Sequence, residues 1–179
     1  MANEIAIKLD TPEAIVWAAS GEYGNVPWAD TYEMDMGGLA DDAAWQGAKG
    51  DLGALRATEY AVRVGIELDV DLAAAGSVEV YWSSSPSGTA ATSNTGGASG
   101  ANEAYTAGVN SQLEHLTLLG VLYLPATCDD DIGYDAVIGV FTPPSRYGMP
   151  VVVNKSGQAF EVTADKIFVA LIPLVVEIQ

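Results

Sequence analysis

Tyr60-Ala-Val-Arg-Val-Gly-Ile-Glu-Leu-Asp-Val70 decides the fold. Tyr60, Val62, Val64, Ile66, Leu68 and Val70 fall on one side of an extended chain, and Ala61, Arg63, Gly65, Glu67 and Asp69 on the other. A repeat of two residues is the signature of a half-buried β-strand, because successive side chains of a strand point to opposite faces. Just downstream, residues 77–83 repeat the pattern, with Val78, Val80 and Trp82 against Glu79 and Tyr81. The short connection 71–76 predicts that the two strands pair antiparallel. Further strands are expected at 136–141, at 149–154 before the turn Asn154-Lys-Ser-Gly, and at 166–176. Residues 113–124 read as a short helix or a returning strand, and the alternation over 117–124 favours the strand. Upstream, Ile5, Ile7 and Leu9 alternate within residues 4–9, and 15–19 form a short apolar run. About eight short strands, turn signals between them and little helix predict an all-β chain: an antiparallel β-sandwich of jelly-roll type.

Two stretches break the strand rhythm. Residues 20–53 are rich in glycine, yet carry Trp28, Tyr32, Met34, Met36 and Trp45. They read as a long N-terminal arm whose large apolar groups bury against something: a neighbouring subunit, or the open end of the chain's own core. A helical turn capped by Asp41 is expected within 39–46. Residues 83–108 consist largely of Ser, Gly, Ala, Thr and Asn, and read as an exposed excursion without a core of its own. With 179 residues and no internal repeat, the whole chain is expected to form a single domain.

The charge balance narrows the function. Only 17% of residues are charged, against about a quarter in ordinary globular domains. Asp and Glu number 24 against 7 Lys and Arg, a net charge of −17. A field of that sign repels nucleic acid and anionic membranes. Cys128 is the sole cysteine, so no intrachain disulfide forms. Neither a signal peptide nor an apolar run of about 18 residues is recognisable, so synthesis in the cytoplasm is expected.

Motifs for chemistry are sparse. His115 is the sole histidine and stands outside any G-x-S-x-G elbow. Cys128 precedes three aspartates, a setting that disfavours a nucleophilic thiolate. Asp129, Asp131, Gly133 and Asp135 have loose calcium-loop spacing, but Val140 occupies the position of the closing glutamate, and a solvated acidic turn is the simpler reading. No phosphate-binding loop or Cys/His zinc spacing is present. The expectation is a non-enzymatic protein without metal or cofactor. Trp28 and Trp45 are candidate surface aromatics, for a protein partner or for a carbohydrate, whereas Trp17 and Trp82 lie in strand patterns and read as core.

One constellation stands apart: Phe141-Thr-Pro-Pro-Ser-Arg-Tyr-Gly-Met-Pro-Val-Val-Val-Asn-Lys-Ser-Gly-Gln-Ala-Phe. Its prolines stop one strand and start the next, and Arg146 beside Tyr147 offers either a contact to a neighbour or an internal pair with an acid. With strand 60–82 running into Ser83-Ser-Ser-Pro, and with the closing Ala170-Leu-Ile-Pro-Leu-Val-Val-Glu-Ile-Gln, it resembles small virion proteins of tailed bacteriophages, many from marine hosts. The resemblance spans about half the chain, in 60–82 and from 118 onward. It implies a structural role in the virion: a capsid decoration (cement) protein on the outside of the shell, bound to the major capsid protein and commonly trimeric. Neck, tail and fibre components remain open, as does a carbohydrate-binding sandwich. Trp28, Tyr32, Met34, Met36, Trp45, Arg146 and Tyr147 are the candidate subunit contacts.

Overall fold

A computed structural model describes residues 14–19, 31–54, 56–106, 112–130, 132–162 and 166–174. The chain is all-β. Its strands are β1 (Ile15–Ala18), β2 (Tyr32–Glu33), β3 (Ala44–Gln46), β4 (Gly50–Asp51), β5 (Glu59–Ile66), β6 (Gly76–Ser85), β7 (Glu103–Ala104), β8 (Thr117–Leu124), β9 (Tyr134–Phe141), β10 (Tyr147–Lys155) and β11 (Phe168–Leu174). Two single-turn 3-10 segments, Thr95–Gly97 and Leu113–His115, complete the described elements.

Two sheets pack face to face as a β-sandwich. One runs β2-β1-β11-β5-β9, and the other β7-β3-β10-β6-β8, with β4 alongside β10. All the longer pairs are antiparallel; the two-residue β2 pairs parallel to β1. Leaving aside β2, β4 and β7, the chain changes sheet at every step from β1 to β11 except from β6 to β8. The inner faces supply one core. Val62, Val64 and Ile66 of β5 meet Val78, Val80 and Trp82 of β6, with Val152, Val169 and Leu171 between the remaining strands. Burying a side chain of this kind contributes about 1.5–3 kcal/mol. Trp17 and Trp82, expected in the core, are fully buried and meet edge-on with ring centroids 5.5 Å apart.

Several expectations change. Strands β5 and β6 do not form a hairpin: they lie in different sheets, and the connection between them crosses the sandwich. Leu68 forms its bridge with Phe160 instead. No helical turn forms within 39–46; the chain enters β3, and Asp41 accepts a hydrogen bond from the Gly157 N–H at 2.9 Å. The segment 31–53 is not a free arm, because it contributes β2 to one sheet and β3 and β4 to the other. The strand expected at 4–9 and the first part of the arm, 20–30, lie outside the described residues.

The Ser/Gly excursion is exposed over most of its described length, as expected, but it is also packed onto the fold. It lies against the outer face of the six-stranded sheet, where Ala98 and Tyr105 join Leu116, Met149, Val151 and Val153 in a second apolar cluster. Its small side chains let backbone and sheet approach closely, and polar ties replace the missing apolar area. The Lys49 ammonium donates to Ser85 Oγ at 3.0 Å and to the carbonyls of Ser87, Thr89 and Thr92 at 3.1, 2.6 and 3.0 Å. Asn94 donates to the carbonyls of Ala90 and Ala98, both at 2.7 Å.

Candidate functional site

The Pro-rich corner between β9 and β10 is built around Arg146. Its Nε and Nη2 donate to the two carboxylate oxygens of Asp51, each at 2.6 Å. Its guanidinium also stands 5.1 Å from the centre of the Tyr147 ring. Strand β4 brings Asp51 there by pairing with the start of β10, and the Gly53 N–H donates to the same carboxylate at 2.8 Å. The hydrogen bonds from Arg146 hold the Asp51 carboxyl below the ordinary carboxylate range. Of the two readings of Arg146, the geometry supplies the internal pair. The corner fastens β4 to β10, and the arginine keeps part of its surface open to solvent.

Among the described candidates, Met34 and Met36 lie in the chain's own core, and Tyr32 and Trp45 pack against it. Met34 and Met36 are buried at 0% and 1% exposure, which removes them from any surface contact. The reason is local: β2 carries the chain past Trp17, and Tyr32 stacks on that indole at 5.4 Å. The Tyr32 hydroxyl is engaged as well, accepting from the Asp51 N–H at 2.8 Å. Trp45 is half-buried, and its Nε1 donates to Asn102 Oδ1 at 2.7 Å, linking β3 to the excursion. Trp28 lies outside the described residues. Of the candidates, Arg146 and Tyr147 come together with each other, and Tyr32 reaches the same corner through Asp51.

The groups considered for chemistry are dispersed. His115 is exposed, with Glu114 Oε1 3.7 Å from its Nε2. Cys128 is buried in the core. The Asp129 N–H donates to the Tyr134 hydroxyl at 2.7 Å and the Asp130 N–H to Asp71 at 3.0 Å, so both backbone groups serve the turn itself. Among the described residues no cluster of three or more His, Cys, Asp or Glu side chains is arranged to hold a metal ion. A cleft of about 270 Å³ lies between Asp41, Asp42, Leu72 and Lys155. Its charged groups already bind one another: Lys155 Nζ donates to Asp42 at 2.6 Å.

A different surface emerges, one that sequence reasoning missed. Leu118 and Tyr123 of β8 and Val137 and Val140 of β9 are exposed, at 52%, 78%, 59% and 61%. The signal was present in Thr117-Leu-Leu-Gly-Val-Leu-Tyr-Leu, which is apolar on both faces of its strand. In an antiparallel sandwich one face of a strand normally meets water and is polar. Compared with known protein families, curated proteins and solved structures, the chain matches none.

Proposed function

We propose that the sandwich is a jelly roll and that the chain is a non-enzymatic structural protein of a tailed-phage virion, acting as a capsid decoration protein. The strand order carries this reading. Numbered one to eight along the chain, the principal strands run one, eight, three, six in one sheet and two, seven, four, five in the other. That order fits two Greek keys wound together, the arrangement of jelly rolls, and viral capsid domains are among the proteins that use it. A fold hosts many functions, so the assignment leans equally on the resemblance in 60–82 and 118–179 and on the surface. The net charge of −17 suits the exterior of a shell, away from packaged DNA. The exposed apolar strands suit contacts with other subunits. The major capsid protein is the proposed partner, and a trimer the proposed state. Many copies acting together let modest contacts reinforce the shell.

Quantitative mass spectrometry of purified virions tests this. A copy number comparable with that of the major capsid protein is expected. A handful of copies per particle would move the chain to the neck, tail or fibre, and absence from the particle would overturn the virion assignment.

A further inference from the structure

The long edge strands of both sheets fall on one side of the sandwich. β8 ends the six-stranded sheet, β9 ends the five-stranded sheet, and the two lie against each other. Each edge carries a bulge, at Leu119 in β8 and at Ile138 in β9. Next to the bulges sit Gly120 and Gly139, and they approach reciprocally: a Cβ on Gly120 would strike the Ile138 carbonyl, and one on Gly139 the Leu119 carbonyl. The seam is therefore closed backbone to backbone.

Natural edge strands are usually blunted by charge or proline. Here β8 has neither, and β9 has a single charged residue, Asp135, which is paired with Arg63. Strand register places Leu118 beside Tyr81 and Tyr123 beside Ser77, on the outer face of the six-stranded sheet. Val137 stands beside Arg63 and Val140 beside Ala61, on the outer face of the five-stranded sheet. Exposed apolar side chains thus flank the seam on both sides.

We propose that this seam is the docking surface for a second copy of the chain. Charge selects the occupant. A basic partner would be drawn to the acidic surfaces of a protein of net charge −17, not to strands whose one acid is already paired. Two copies repel each other wherever both present unpaired carboxylates, and the one carboxylate on β8 and β9, Asp135, is paired with Arg63. Each copy brings the same surface without a net charge, so the seams of neighbouring copies can meet around a shared symmetry axis. The inference does not rest on the virion reading, because association is a property of the purified chain.

Sedimentation of the full chain at about 0.15 M salt tests it. The wild type is expected to self-associate. Tyr123→Glu, and Val137→Glu combined with Val140→Glu, should weaken association about tenfold or more at an unchanged melting temperature, since all three side chains are already exposed. A photo-crosslinking residue replacing Tyr123, in a mixture of isotope-labelled and unlabelled copies, should link one copy to another. A wild type that stays monomeric, or variants that associate as it does, would overturn the proposal. So would crosslinks confined to the same chain, for example to residues 1–13.

Discussion

Arg146 and Asp51 meet through two hydrogen bonds of 2.6 Å, and that pairing makes the corner sensitive to acid. The Asp51 carboxyl is held below its ordinary value by Arg146. Its contribution to stability is therefore complete above the unfolded carboxyl pKa and is lost as pH falls through the lower folded value. Arg146→Gln should lower the melting temperature slightly at pH near 7, and the gap to wild type should close at acid pH. A gap independent of pH would show that the arginine acts through packing alone. At the seam, Gly139→Ala forces a methyl group onto the Leu119 carbonyl, and a loss of about 1–3 kcal/mol in urea unfolding is expected. An unchanged stability would mean that β8 and β9 are not closed against each other. Residues differ in how plainly the sequence announces them. Trp17 and Trp82 sit in apolar strand patterns and were legible as core. Met34 and Met36 sit among glycines and acids, a context that reads as loop; Tyr32, Met34 and Met36 do alternate with Glu33 and Asp35, but over too few residues to outweigh that context.

Elements were more legible than their pairing. Alternation located β5, β6 and β8, and short apolar runs located β9 to β11, to within a few residues, because a strand with one face in a core repeats every second position and one buried on both faces is apolar throughout. Pairing of β5 with β6 was misread, because a connection such as 67–75 is long enough to turn back within a sheet or to cross between two. The packing of the excursion against the sheet was missed because composition records apolar area but not polar ties. Lys49 gathers four oxygens from Ser85, Ser87, Thr89 and Thr92, a contact no local pattern encodes. Lys49→Met should raise hydrogen exchange across residues 85–92 and increase proteolysis there, with a smaller effect on global unfolding. Equal protection in wild type and variant would show that the Ser/Gly chain holds its place without the ammonium. The segment 31–53 makes the opposite prediction. Met34→Ala removes a buried side chain and should cost about 2–5 kcal/mol of stability. An assembly defect at unchanged stability would return Met34 to the subunit contacts.

The whole molecule carries a net charge of −17, whereas edge strands β8 and β9 hold one acid, Asp135, paired with Arg63, and this contrast sets the proposed self-association. Salt screens repulsion between copies over a Debye length of about 8 Å at physiological ionic strength, and leaves apolar contact intact. Self-association should therefore strengthen as salt rises from low to moderate concentration, as light scattering would show. Weakening over that range would indicate a contact made of ion pairs instead. The β-sandwich was legible from strand count and spacing. The proposed contact surface was not, because the arm offered large side chains, whereas β8 and β9 read as ordinary apolar strands whose outward faces hold a single acid, Asp135. The proposed role rests on multiplicity: many copies of a small acidic sandwich bound together could reinforce a shell. A cryo-electron microscopy map of virions carrying this chain tests that most directly. The account predicts the sandwich at every equivalent site on the outer surface, with β8 and β9 turned toward neighbouring copies. Density for it inside the shell, in a ring at one vertex, or nowhere on the particle would contradict the account.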